Sequence, residues 1–259
     1  MKKSLLILSM LLLCTQSVWA WGKHGHEIVV EVAKRHLTER AKANIARYMP
    51  YDITTEALWM DKHRRDAEIE YTTHWHGAGY DKQKRYLPTA KLAKGGDVVR
   101  ALQLVEYNLS HYERLTDSAV VMNLRMVLHF VGDMHCPTHS LPDGVKVRWD
   151  CTIKGKESNF HSLYDRMPAT LYGKKTPPSQ VAATLDNCKK DEIKSIVSGS
   201  IIDWADDCFE RNSAIFDINP FGTPVLDPQT IEKSRALVDV QLRNAGYRLA
   251  AKLNKYFDK

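Results

Sequence analysis

The residues best placed to do chemistry lie in His129-Phe-Val-Gly-Asp133-Met-His-Cys-Pro-Thr-His139. This stretch ends a long apolar segment, Ala119-Val-Val-Met-Asn-Leu-Arg-Met-Val-Leu, which reads as a buried helix because it is apolar on nearly all sides. On such a helix His129 and Asp133, four apart, share one face. Pro137 then ends the helix and turns the chain, so that His139 can reach back. A buried imidazole and carboxylate need compensation, because unpaired polar groups are costly in an apolar interior. The plainer reading is a core histidine bonded to its helix-mate aspartate. The sharper one is zinc, which takes His nitrogen and Asp oxygen at about 2.0–2.2 Å. A second His-x3-Asp pair in Asn159-Phe-His161-Ser-Leu-Tyr-Asp165 favours the metal reading, since chance packing does not readily supply two.

These side chains need elements to hold them, and the pattern supplies helices. The chain has 259 residues. Residues 1–20 read as a secretory signal: Lys2-Lys3, an apolar run from Leu5 to Leu13, then Val18-Trp19-Ala20 before the expected cut. That run is too short to span a membrane, and no later segment approaches the roughly 20 apolar residues required. The formal charge of +6 becomes +4 once Lys2 and Lys3 are set aside with the leader. So mild a balance permits an anionic substrate without indicating one. Residues 21–259 suffice for one domain with a full core. Export implies an oxidising compartment, where Cys136, Cys151, Cys188 and Cys208 could form two disulfides. The expected pairs are Cys136–Cys151, which would close the loop between the two His-x3-Asp segments, and Cys188–Cys208, with three pairings open in principle.

In chain order, Glu27 to His36 reads as an amphipathic helix, and Thr38 caps a second one. A third begins near Thr54-Thr55 and carries Trp59-Met-Asp61-Lys-His-Arg64. Asp97 caps a helix with Val98, Leu102, Val105 and Leu109 at helical spacing. Residues 140–158 read as an irregular loop or short hairpin. Further helices are expected from Pro177-Pro178, from Asp191 through Phe209, and from Asp227-Pro228 to Tyr256. No repeat or composition shift marks a second domain. The expected class is all-α, a bundle of about seven or eight helices with the metal site between them.

With the motifs in order, the chain resembles the secreted zinc-dependent single-strand-specific nucleases, the S1/P1 nuclease family. Carriers of the resemblance are Trp21 and His26; Trp59-Met-Asp61-Lys-His-Arg64; Trp75-His76; His129 to His139; and Asn159, His161 and Asp165. It covers most of the chain after Ala20 and weakens over the last seventy residues. The resemblance implies an all-α fold with a trinuclear zinc cleft and nine ligands. Asp61, His76, His129 and Asp133 would hold one Zn2+. Trp21, through its α-amine and carbonyl, would join His26 and a bridging Asp133 on a second. His139, His161 and Asp165 would hold the third. It further implies that Asp61 orients or deprotonates a water made acidic by the zinc pair, and that Arg64 contacts the phosphate. The other six histidines, His24, His36, His63, His74, His111 and His135, are left to surface or supporting roles.

The implied reaction is hydrolysis of single-stranded DNA or RNA to 5′-phosphorylated products, with some 3′-nucleotide dephosphorylation. The implied substrate is a nucleic acid or nucleotide, the enzyme a periplasmic or secreted monomer without stable membrane association. Three departures stand out. Gly77 occupies the place where the family commonly has a base-stacking aromatic, leaving Trp75 and Tyr80 as the nearest alternatives. Cys136 replaces a residue that is usually polar, and the loop after His139 lacks the family's Gly-Gly-Asn. Two rival readings remain: a zinc phospholipase C, disfavoured by the short Trp21–His26 gap and by Asp165, and a non-catalytic zinc-binding protein, disfavoured by Arg64 beside a ligand aspartate.

Overall fold

A computed structural model describes residues 21–259, apart from 91–94, 146–149, 154–155, 221–224 and 227. The expected leader, Trp149 and Asp227 lie outside the described residues. The all-α class holds. The described residues form twelve α-helices and two small sheets. The helices are α1 (Lys23–Lys34), α2 (Glu39–Ala46), α3 (Trp59–His63), α4 (Val98–Leu109), α5 (Asp117–His135), α6 (Phe160–Asp165), α7 (Met167–Tyr172), α8 (Pro178–Leu185), α9 (Lys190–Ile196), α10 (Ile201–Asn212), α11 (Ile215–Ile218) and α12 (Pro228–Phe257).

Capping explains where several of these begin. Thr38 Oγ1 accepts from the Ala41 amide at 3.1 Å, and Asp97 Oδ1 from the Arg100 amide at 2.9 Å, as both residues lead one to expect. Thr116 does the same for α5 at 3.3 Å. The excess over seven or eight helices comes from breaks that periodicity alone hides. The single helix expected over 191–209 is two, because Gly199 adopts φ +84° and Ser200 then caps α10 in a reciprocal box with Asp203. The third helix is a 3-10 turn over Ile53–Glu56 followed by the short α3.

α5 is the axis of the core. Val120, Leu124, Val127, Leu128 and Val131 are all buried along it, and it lies against α1, α3, α4, α10 and α12. The longest helix, α12, packs along α1, and Gly246 permits the close approach. A Cβ there would sit 2.4 Å from Val32 Cγ1.

Two small sheets of short strands tie loops to this bundle. β1 (Ala78–Tyr80) runs parallel to β2 (Ser140–Pro142), with Ala78 opposite Ser140. β3 (Asp150–Ile153) and β4 (Lys156–Asn159) make the hairpin expected in this region, and β5 (Val225–Leu226) adds to β3 in parallel.

The expected disulfides are corrected by the structure: Cys136, Cys188 and Cys208 are free thiols. Cys136 is therefore not joined to Cys151, whose side chain lies outside those described. Cys188 and Cys208 face different residues of α12. The Cys188 amide donates to the Tyr247 hydroxyl at 3.3 Å, whereas Cys208 Sγ lies 3.6 Å from Arg248 Nη1.

Candidate metal centre

The first cluster forms where α5 meets α3 and the segment before β1. On α5, His129 Nε2 lies 3.1 Å from Asp133 Oδ2, the helical spacing seen in the sequence. His76 arrives from the other side, its Nδ1 2.8 Å from Asp133 Oδ2 and 3.2 Å from His129 Nε2. Asp61 completes the cluster from α3, with Oδ1 3.7 Å from His129 Nε2 and 3.8 Å from His76 Nδ1. Supporting contacts fix these orientations. His129 Nδ1 donates to the Ala57 carbonyl at 2.8 Å, which turns Nε2 toward Asp133 and His76. α3 is pinned through Trp59, under the Arg125 guanidinium at 4.1 Å and stacked on His63. Arg125 itself pairs with Glu56 at 2.6 Å.

A second cluster shares Asp133. His26 on α1 places Nε2 3.4 Å from Asp133 Oδ1, and its ring stacks on His129 with centroids 4.1 Å apart. Gly132 makes room, since a Cβ there would lie 2.8 Å from His26 Nδ1. Trp21 is fully buried, and the following Gly22 amide donates to the Asp165 carbonyl at 2.6 Å. That bond ties the entry of α1 to the end of α6.

The third cluster joins the turn after α5 to α6. His139 Nε2 lies 3.1 Å from His161 Nε2, and His161 Nε2 lies 3.6 Å from Asp165 Oδ1. The His139 ring is set by its Nδ1, which donates to the His76 carbonyl at 2.5 Å. α6 starts where it does because the Asn159 side chain accepts from the Ser162 amide at 2.9 Å. Of the nine residues named from the sequence, His26, Asp61, His76, His129, Asp133, His139, His161 and Asp165 thus fall into adjoining clusters, while Trp21 lies buried at the entry of α1. Cys136 was not among them, yet its Sγ lies with a ring nitrogen of His139 and a carboxylate oxygen of Asp165 within 4.8 Å of one another. Its position three residues before His139 was the available signal.

The donor set fits a cation better than it fits packing. Both nitrogens of His26, both oxygens of Asp61 and Oδ1 of Asp133 are buried without a hydrogen-bond partner among the described residues. Each such group costs on the order of 1–3 kcal/mol if left unsatisfied. The electrostatics agree. Burial raises the Asp133 carboxyl, but His129 and His76 outweigh it and hold it well below the usual carboxylate range. Burial works against charge on His129, yet Asp133 and Asp61 push it up to about 9. His26 falls to about 4 through burial and the neighbouring His129 charge. His139 is lowered too, by burial. These are imidazoles and carboxylates poised around positive charge, with His26 and His139 held neutral as ligands require.

A cleft of about 440 Å³ opens above them, lined by Arg64, Arg65, Glu70, Thr73, His74, His76 and His139. Arg64 is therefore at the mouth, beside the ligands. Gly77 is explained by its neighbour: a Cβ there would lie 2.9 Å from the His139 carbonyl oxygen, so the β1–β2 junction excludes an aromatic. Tyr80 is no open stacking platform either, being buried against Phe209 at 5.2 Å. The Trp75 indole donates to the Gly95 carbonyl at 2.8 Å.

Comparison with known proteins decides the family. A profile of the S1/P1 nuclease family matches residues 21–258. The chain belongs to the S1/P1 nuclease family. It is similar to Nuclease S1 of Aspergillus oryzae, 24% identical over 92% of each chain. It is also similar to Endonuclease 1 of Arabidopsis thaliana, 28% identical over 78% of this chain and 70% of that one. Endonuclease 4 of the same plant is 24% identical over 92% and 89%. S1/P1 nucleases are zinc-dependent hydrolases of phosphodiester bonds, and the three clusters lie within the matched region.

Proposed function

We infer that the chain is an exported endonuclease that binds three Zn2+ and hydrolyses single-stranded DNA or RNA to 5′-phosphorylated products, acting also on 3′-nucleotides. The observation that carries this is the meeting of His76, His129 and Asp133 at 2.8–3.2 Å, with Asp61 3.7–3.8 Å from the two imidazoles and carboxylate oxygens left unpartnered among the described residues. Zinc bound there supplies charge neutralisation for a phosphodiester and makes a water acidic near neutral pH. Asp133 presents one oxygen to His76 and His129 and the other to His26, the arrangement a bridging ligand needs. Asp61 adjoins that cluster with both oxygens buried and unpartnered among the described residues, which supports a role in orienting or deprotonating the attacking water. Arg64, at the cleft mouth, supplies a fork for the non-bridging oxygens.

Preference for single strands follows from depth. His129 and Asp133 are fully buried and His139 nearly so. A flexible strand or free nucleotide can bring a phosphate into such a recess more readily than a stiff duplex can. The Gly77 site lacks an aromatic, so base stacking worth about 1–3 kcal/mol is not available from that position. Base preference should accordingly be weak.

Turnover of denatured DNA, duplex DNA and phosphatidylcholine, each with and without chelator, tests the reading. Chelator-sensitive cleavage of the denatured strand alone is expected. Cleavage of phosphatidylcholine instead would make the protein a phospholipase. Zinc binding with no turnover on any of the three would make it a zinc-binding protein.

Export after Ala20 would add a condition. An indole has only an N–H donor and binds zinc poorly, so Trp21 would act through its freed α-amine and carbonyl. The unperturbed amine titrates near 7.7–8.0, a modest barrier to coordination at neutral pH. One additional residue before Trp21 converts that amine to an amide. Such a form is expected to bind fewer zinc ions and lose most activity; equal zinc content and turnover in both forms would remove Trp21 from the ligands.

A further inference from the structure

The thiol of Cys136 has no part in the reading above, yet it is the most deeply placed donor near the third cluster. It caps the C-terminal end of α5, is fully buried, and makes no disulfide. Among the described residues its side chain has a single contact of hydrogen-bonding type, a long one of 3.6 Å to the Thr138 hydroxyl. By contrast, its Sγ shares a space with His139 and Asp165, all three buried and their donor atoms within 4.8 Å of one another. Around one tetrahedral zinc, donors bound at about 2.0–2.3 Å stand roughly 3.3–3.7 Å apart. Closing the cluster on an ion therefore needs each pair to approach by no more than about 1.5 Å. The local backbone holds the thiol in register with the ligands: the Cys136 amide donates to Asp133 at 2.9 Å, and its carbonyl accepts from the His139 amide at 3.0 Å.

We propose that Cys136 is a zinc ligand, and that it joins His139 and Asp165 on the third ion. This rests on the metal reading of the site and goes beyond the three-residue set that the family resemblance implies. On binding, the S–H proton leaves to solvent and an S–Zn bond forms. Two consequences follow from the chemistry. Thiolate is a soft ligand, so this position selects zinc, cobalt or cadmium against magnesium and manganese. A thiolate also holds zinc more firmly than oxygen or imidazole donors alone, so this ion is the last that a chelator removes.

The test is zinc X-ray absorption on the zinc-loaded full-length protein after leader removal, with metal content measured on the same sample. A sulfur shell at about 2.3 Å, at one sulfur per full complement of zinc, is the expected result. Cys136→Ser should lose that shell and release its most chelator-resistant zinc at the rate of the others. Cys188→Ser and Cys208→Ser should change neither. Zinc-loaded wild-type protein with only nitrogen and oxygen neighbours overturns the proposal and leaves Cys136 a packing thiol, while the metal reading stands. A protein that takes up no zinc overturns the metal reading together with the proposal. The wild-type spectrum decides the matter even if Cys136→Ser fails to fold.

Discussion

Two buried polar clusters sit on α5 within two residues of each other, and they are built on opposite principles. At Asp133, carboxylate and imidazole atoms converge and several find no hydrogen-bond partner among the described residues. At His135 both ring nitrogens are engaged. Nδ1 donates to the Val131 carbonyl at 2.8 Å, and Nε2 accepts from Arg248 Nη1 at 2.9 Å. Arg248 in turn donates to the Ile196 carbonyl at 3.0 Å and to Asp207 at 2.8 Å. Burial and the Arg248 charge lower His135 to about 3, so it stays neutral as an acceptor. The second cluster is finished by the protein alone, with α12 and α10 closing on the back of α5. The first is finished only by something positive. Burial of a histidine thus says little about its role; what decides is whether its nitrogens are already spent.

Removing the metal should divide the two most sharply. A tightly held ligand at about 1,000 times its Kd contributes about 4 kcal/mol, and 1 kcal/mol shifts Tm by about 2–4 °C at this size. Chelation is therefore expected to abolish turnover and lower Tm by about 10 °C, which differential scanning calorimetry would read. Full zinc removal with an unmoved Tm would show that the ions do not brace the bundle. Point changes should separate the same way. Asp133→Asn and His129→Ala are expected to take turnover to background. Arg248→Met should cost on the order of 3 kcal/mol by stranding Asp207 and His135, yet keep zinc content and kcat. His111→Ala should change neither, since His111 is exposed with Nδ1 on the Tyr107 carbonyl. Loss of turnover in Arg248→Met with the fold intact would dissolve the distinction.

A smaller effect is expected where the first cluster is only crowded rather than deleted. Gly132→Ala places a Cβ 2.8 Å from His26 Nδ1, so the ring must shift from Asp133. Supporting changes of this kind cost about 10–100-fold in metal affinity. Zinc titration should show one weakened site, while Tm in chelator stays within about 1 kcal/mol of wild type because alanine suits a helix. Unchanged zinc affinity would mean that His26 holds no ion.

How legible these clusters were differs for the same physical reason. The metal residues sit in short stretches whose spacing carries the geometry: four apart on a helix, or just past a proline that ends one. Thr38 and Asp97 likewise announced their helices, because capping is local. The partner of His135 was not readable. Arg248 lies 113 residues away on a helix where a lone arginine reads as solvated surface. The break at Gly199 was hidden because Ile201, Trp204 and Phe209 continue an apolar rhythm across it. Cys136 was read as half of a disulfide, since composition and compartment say nothing about which side chain a thiol faces.

The finest test of the comparison is acid stability in the closed cluster. Burial raises the Asp207 carboxyl, but Arg248 and Arg211 outweigh it and hold it below its usual value. A carboxylate depressed in the folded state adds stability above its unfolded pKa, near 3.9, and that stability is lost as pH falls through the lower folded value. Asp207→Asn should thus be less stable than wild type at neutral pH, by a small margin since this side chain is 31% exposed. The gap should narrow below pH about 4 and close once wild-type Asp207 is protonated. Urea melts of both proteins in chelator, from neutral pH downward, measure this without interference from zinc loss. A gap that stays constant through the acid range would mean that Asp207 contributes by shape and neutral hydrogen bonding, and that the Arg248 charge is balanced elsewhere.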